Sequence, residues 1–339
     1  MALSQEDLKN NLESFMRTQS GSDDLSIVHM QPLAGGASRD SWAVVAQVGG
    51  ETQKYVLRRD NPTTMNENAL TREQEYLLMD AAYRAGVKVA QVRWYSNDPD
   101  VLELPFFLMD FVEGISIGRK VIKELSLEHA RSVLPEQMAE QLATIHTIDA
   151  SGFEFVPRPV EGRSPAQQAI AEMVEVLDTL QINSPPFEFA LHWADRHVPQ
   201  NTETCFVHGD FRIGNLLVDE NGLAAVIDWE FAHFGDPLEE IGYMCMRDWR
   251  FGNDHLHMAG LSPRERFITA YEGFSGRSVD RSAADWWEIM GNIRWGVICM
   301  AQAARHLSGS DPSVELASLG RRSAEMQLEA LRLIEKVGI

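Results

Sequence analysis

The apolar residues of this chain recur with two different periods, and the change between them divides it. Residues 4–18 place Leu8, Leu12 and Phe15 on one face of a helix, with Ser4 positioned as its N-cap. Short runs rich in β-branched and apolar residues follow at Ile27–Leu33, Trp42–Val48 and Tyr55–Arg58, separated by Gly-Gly or polar turns, and these predict strands. A helix is expected across Glu67–Ala85, ending at Gly86, then two more strands at Gln91–Tyr95 and Phe106–Val112. Beyond Gly114 helical spacing dominates, at 134–148, 165–181, 236–248, 263–274, 283–307 and 313–336, and strand character returns only around 204–228. The Pro-rich stretches at Pro157–Pro159 and Pro185–Pro186 are expected to be loops.

This order predicts an α+β, bilobal protein: a small β-rich lobe over residues 1–112 and a larger helical lobe over 113–339. A chain of 339 residues suits two cores better than one. No apolar run approaches the ~18–20 residues of a membrane span, and the acidic start MALSQEDLKN resembles neither a secretory nor an organelle leader, so a cytoplasmic protein without membrane partners is expected. Three widely spaced cysteines, Cys205, Cys245 and Cys299, predict reduced thiols. A formal charge of −20 argues against nucleic acid as a partner, because phosphates must be met by Lys and Arg.

The segment from Cys205 to Glu230, CFVHGDFRIGNLLVDENGLAAVIDWE, carries the chemistry. Leu216–Val218 and Leu223–Ile227 flank Asn221-Gly222, a strong hairpin signal. With those two as loop residues, Glu220 faces Leu223 and Asn215 faces Asp228, an amide oxygen beside a carboxylate. Hard oxygen ligands of that kind suit Mg2+ together with substrate phosphates. Asp210, five residues before Asn215, could accept a hydrogen bond from an attacking hydroxyl, and Arg212 could offset phosphoryl charge.

His208-Gly209-Asp210-x-Arg212-x-x-Asn215, followed by Ile227-Asp228-Trp229-Glu230, resembles the aminoglycoside phosphotransferase and choline kinase-like branch of the protein kinase-like superfamily. With Phe231–Pro237 and Trp249–Gly252 it is similar, within that branch, to the kinase-like domain of acyl-CoA dehydrogenase fusion proteins. The resemblance implies an ATP- and Mg2+-dependent kinase acting on a small-molecule hydroxyl, with Asp210 as base, Asn215 and Asp228 as metal ligands, and Arg212 near the γ-phosphate. Glu230 becomes a further metal-site candidate, and His208 a brace for the loop. Gly35, Gly36 and Ser38 would lie in a phosphate-approaching loop, and Arg58 would stand where protein kinases place a lysine. Glu75 is expected to pair with Arg58 in preference to Glu73, and the backbone around Phe111–Glu113 to meet adenine. Arg247 and Arg250, flanking Trp249, are candidate contacts for an anionic acceptor such as a hydroxyacyl-CoA. A true aminoglycoside kinase, a catalytically silent nucleotide-binding module and a metal-dependent hydrolase are the alternatives.

Overall fold

Ser4 caps the first helix in a computed structural model that describes residues 3–33, 40–60, 70–200 and 203–338. Its hydroxyl accepts the Asp7 N–H, and Gly21 closes helix α1 (Gln5–Ser20) with φ of 68°. The buried face is Leu8, Leu12 and Met16, an i, i+4, i+8 stripe, while Phe15 packs at its edge against the Phe106 ring. The chain divides into two units, Met1–Glu113 with Ala224–Phe231, and Gly114–Leu223 with Ala232–Ile339.

The amino-terminal unit is built on a five-stranded antiparallel sheet. Its strands are β1 (Ser26–Pro32), β2 (Asp40–Val48), β3 (Glu51–Arg59), β4 (Val92–Ser96) and β5 (Phe106–Asp110), in the order β1-β2-β3-β5-β4. Alternation along β3 sends Tyr55 and Leu57 into the core shared with α1, Val44, Ala46 and Leu108. Val56 and Arg58 point the other way, and all four residues from Tyr55 to Arg58 are buried because both sheet faces are covered. Helix α2 (Arg72–Arg84) begins later than expected. A capping box between Thr71 and Gln74 fixes its first turn, so Leu70 and Thr71 precede it, whereas 67–69 lie outside the described residues. The one-turn helix α3 spans Pro99–Leu102.

The second unit is mainly helical: α4 (Gly118–Lys123), α5 (Glu128–Ile145), α6 (Pro165–Leu180), α7 (Pro185–Arg196), α8 (Pro237–Cys245), α9 (Arg264–Ser275), α10 (Arg281–Ser308), α11 (Val314–Gly320) and α12 (Ser323–Val337). Three expectations are corrected. The Pro185–Pro186 stretch opens α7, because proline at the first helical positions lacks only an N–H that would be unpaired anyway. Helix α5 starts at Glu128 and carries Pro135 within it, where proline normally signals a break. The last helical run is two helices, parted at Arg321–Arg322. Short strands β6 (Cys205–Val207) and β9 (His233–Gly235) pair antiparallel, and β7 (Leu216–Asp219) pairs with β8 (Gly222–Val226). No helix among the described residues is long and apolar enough to cross a membrane.

Helices α8 and α10 meet at close range, with a glycine at the contact. A Cβ on Gly242 would lie 2.4 Å from the Trp287 carbonyl carbon and 2.6 Å from the Glu288 nitrogen, both backbone atoms that cannot swing away. Gly242→Ala is therefore expected to force the helices apart and destabilise the protein by about 1–3 kcal/mol, read as a lowered thermal midpoint. A midpoint within a degree of wild type would show that the contact relaxes freely.

Candidate active site

The loop between β6 and β7 is held from below by one carboxylate. Glu240 on α8 is 1% exposed. Its Oε2 accepts the His208 N–H at 3.1 Å, its Oε1 accepts the Gly209 N–H at 3.0 Å, and His146 Nε2 lies 3.0 Å from Oε2. His146 Nδ1 in turn meets the Tyr271 hydroxyl at 2.7 Å. Burial opposes ionisation of Glu240, yet the hydrogen bond and charge of His146, with His208, outweigh it and hold the carboxyl below the ordinary glutamate range. Gly209 takes φ of 80°, which turns the chain so that Asp210 follows.

Asp210, Arg212 and Asn215 come together at the end of that loop. The Asn215 amide donates to the Asp210 carbonyl at 2.9 Å and to its Oδ2 at 2.6 Å. Because both bonds use the amide nitrogen, the Asn215 side-chain oxygen is turned away from them. Arg212 Nε lies 3.2 and 3.3 Å from the two Asp210 oxygens, and its guanidinium sits 4.9 Å from the centre of the Trp249 ring. The His208 ring accepts the Asp210 N–H at 3.3 Å, so it braces the loop. Tyr243, one turn after Glu240 on α8, is buried, and burial followed by the charge of Asp210 pushes its phenol up.

The hairpin differs from expectation by one residue. Strand β7 ends at Asp219 and β8 starts at Gly222, so Glu220 and Asn221 form the turn. Asp219 Oδ1 accepts the Asn221 N–H at 2.7 Å, an Asx turn that competes with the Asn-Gly turn. Gln137 on α5 then accepts the Leu223 N–H at 2.7 Å, and glycine suits position 222 because its φ is 120° and a Cβ there would displace the Gln137 amide. The pairing that set Asn215 opposite Asp228 does not follow from this turn. Asp228 lies beyond the strand with φ of 68°, a left-handed conformation costing about 1 kcal/mol for a residue with a Cβ.

In the amino-terminal unit Arg58 is 9% exposed and meets several acids. Its Nη2 lies 3.1 Å from Glu75 Oε1 and 3.3 Å from Asp228 Oδ1. Burial works to lower its pKa, but Glu75, Asp228 and Glu230 together raise it above the ordinary value. Glu73 is exposed and Glu75 fully buried, so the helix presents Glu75 to Arg58. Arg72, 2% exposed, also bonds Glu75, through Nη1 to Oε2, and reaches Asp60 Oδ1 through Nε at 2.8 Å.

At the end of β5 the Phe111 N–H donates to the Lys54 carbonyl at 3.0 Å, continuing the β3–β5 ladder. That donor is therefore committed to the sheet and is not offered to a base. The Glu113 carboxylate pairs with Lys54 Nζ at 2.6 Å. Lys54, Phe111 and Glu113 line a cleft of about 260 Å³ with His29, Gln31 and Leu33. Gly35, Gly36 and Ser38 lie outside the described residues.

The two arginines proposed for an anionic acceptor are otherwise engaged. Arg250 is 6% exposed and donates to the Cys245 carbonyl through Nε and Nη2, to the Asp254 carbonyl, and to Glu288 Oε1 at 3.1 Å, which makes it a packing cation of the helical unit. Arg247 forms a surface pair with Asp254 at 2.8 Å. Trp249 between them, not the arginines, reaches Arg212. Glu240, His146 and Arg72 were not singled out as site residues from the sequence. The one available signal was the pair Glu239-Glu240 inside the otherwise apolar helix PLEEIGYMC. Among the described residues no three His, Cys, Asp or Glu side chains cluster as a metal site.

A sheet unit with a buried arginine–glutamate pair and a helical unit with a braced His-Gly-Asp loop define a kinase-like phosphotransferase fold. The profile of the phosphotransferase enzyme family (APH) matches residues 29–287, and the chain belongs to that family. It is similar to a protein of Ralstonia eutropha JMP134 described as a candidate aminoglycoside phosphotransferase, at 24% identity and a TM-score of 0.77, covering 96% of this chain and 98% of the other. The structure of APH(4)-Ia in a ternary complex with AMP-PNP and hygromycin B gives 16% identity and a TM-score of 0.59 over 95% and 98% of the two chains. Mouse acyl-CoA dehydrogenase family member 11 is 26% identical over 320 residues, 86% of this chain. Mouse family member 10 is 29% identical over 209 residues, 57% of this chain. The chain spans 38% and 18% of the length of those two relatives.

Proposed function

We propose that this protein transfers the γ-phosphoryl group of ATP to a hydroxyl group of a small molecule. The observation that carries the reading is Asp210, a carboxylate oriented by the Asn215 amide at 2.6 Å on a loop whose backbone is bonded to Glu240. In the reaction the acceptor oxygen forms a bond to the γ-phosphorus, and the bond from that phosphorus to the β–γ bridging oxygen breaks. ADP departs, and the acceptor proton passes to an Asp210 oxygen. Arg212, now paired with Asp210, is assigned to exchange that partner for the transferring phosphoryl group. Arg58, kept charged by its acids, is assigned to the nucleotide phosphates.

Two oxygen donors suited to Mg2+ support this part of the reading: the Asn215 amide oxygen, whose nitrogen is held by Asp210, and the Asp228 carboxylate. Asn215 and Asp228 are the proposed protein ligands, with Glu230 accessory. When bound, the ion neutralises phosphate charge. With the Phe111 N–H held by Lys54, base recognition is assigned to the remaining peptide groups between Asp110 and Glu113.

The acceptor reading follows the relatives matched along most of the chain, which are acyl-CoA dehydrogenase family members, and favours a hydroxylated acyl thioester or related metabolite over an aminoglycoside. We place the reaction in the cytoplasm. The deciding experiment measures ADP formation from MgATP with hydroxyacyl-CoAs, free hydroxy acids and aminoglycosides in parallel. ADP formation dependent on one acceptor, with phosphate recovered on its oxygen, supports the proposal. Nucleotide binding without transfer to any acceptor would instead identify a silent regulatory module, and phosphate release without ATP a hydrolase.

A further inference from the structure

We propose that Arg72 is a positioning residue that divides Arg58 between its two carboxylate partners and so sets nucleotide affinity. The inference rests on the phosphotransfer reading and concerns only the amino-terminal unit. One nitrogen, Arg58 Nη2, is 3.1 Å from Glu75 Oε1 and 3.3 Å from Asp228 Oδ1. At nearly equal distances the two acids compete for one nitrogen, and the anchoring of each helps decide where the guanidinium rests. Asp228 sits outside regular structure with a side chain 40% exposed, and Glu75 is fully buried on α2.

A carboxylate with no access to water is kept ionised only by what bonds it. For Glu75 one such bond comes from Arg72, which takes Oε2, while Oε1 is directed at Arg58. Arg72 is in turn fixed by Asp60 at 2.8 Å, so the planar guanidinium bridges the end of β3 and the first turn of α2. The same end of α2 is tied to the segment after Asp228, since the Leu70 N–H donates to the Glu230 carbonyl at 3.3 Å. Without Arg72, Glu75 loses a cation that holds its carboxylate toward Arg58. Arg58 then moves onto Asp228 and Glu230, and the groups assigned to phosphate and Mg2+ neutralise each other.

Calorimetric titration of the full chain with a non-hydrolysable ATP analogue and Mg2+ tests this. Arg72→Met is expected to weaken the dissociation constant about tenfold or more at unchanged stoichiometry. Arg72→Lys, which keeps the charge but cannot bridge two acids, should weaken it in the same direction by less. In a Glu75→Gln background Arg72→Met should change affinity less than twofold, because the route through Glu75 is already gone. Wild-type affinity in Arg72→Met, a fall in stoichiometry at wild-type affinity, or additive effects in the double variant would each overturn the inference. If Arg72→Met does not fold, Arg72→Lys is read by the same criteria. A wild-type chain that binds no nucleotide overturns the phosphotransfer reading and this inference with it, whereas an insensitive Arg72 variant beside a binding wild type overturns this inference alone.

Discussion

Asp210→Asn is expected to lower turnover by ~10²–10⁴-fold while nucleotide affinity stays within a few-fold of wild type. The substitution is nearly isosteric, and the Asn215 amide can still donate to the oxygen that asparagine keeps. What disappears is the capacity to take the acceptor proton, together with the negative charge that now holds Arg212 at 3.2 Å. Because the defect lies in the transfer step, single-turnover measurements with saturating MgATP and acceptor should show the slow rate directly. Full activity in Asp210→Asn would remove Asp210 as the base. An equal loss of nucleotide binding would instead assign it to the metal site.

How far the site could be read from the sequence depends on where each interaction sits along the chain. The sheet with one intervening helix, the helical second half, and the Ser4 and Gly86 ends of their helices are all local patterns, and the structure shows them. Glu75 was favoured over Glu73 by a motif, and helix rotation gives the physical basis, burying one and exposing the other two positions away. Arg250 shows the opposite case. Its partners, Cys245 and Asp254 nearby and Glu288 from a helix 38 positions on, are visible only after folding. The turn after β7 shows how a small competition decides register: the Asp219 side chain bonds the Asn221 N–H and draws the turn back by one residue. Arg72 was missed because an arginine in a first helical turn ordinarily reads as a solvated surface charge, and this one is buried between two acids from different elements.

Replacing Glu240 by glutamine should cost both rate and stability, since one buried carboxylate meets three groups. Glutamine offers a single acceptor oxygen, so it cannot receive the His208 and Gly209 N–H groups, now taken by different oxygens, as the glutamate does. At least one loop N–H would be left facing an amide NH2, with a penalty of about 1–3 kcal/mol in a fully buried place. The loop relaxes to escape it, and Asp210 is two residues along. A displacement near 1 Å is enough to lower the rate about 10²-fold. The acid dependence gives a second readout. Glu240 ionises in the fold below the ordinary glutamate value of 4.5, so the stability from its ionisation is fully present above that pH and is lost as pH falls through the lower folded value. Wild type should therefore lose stability more steeply than Glu240→Gln below about pH 4.5, the two denaturation curves converging in acid. Parallel pH profiles, or a variant with unaltered turnover, would show that the loop keeps its shape without this carboxylate.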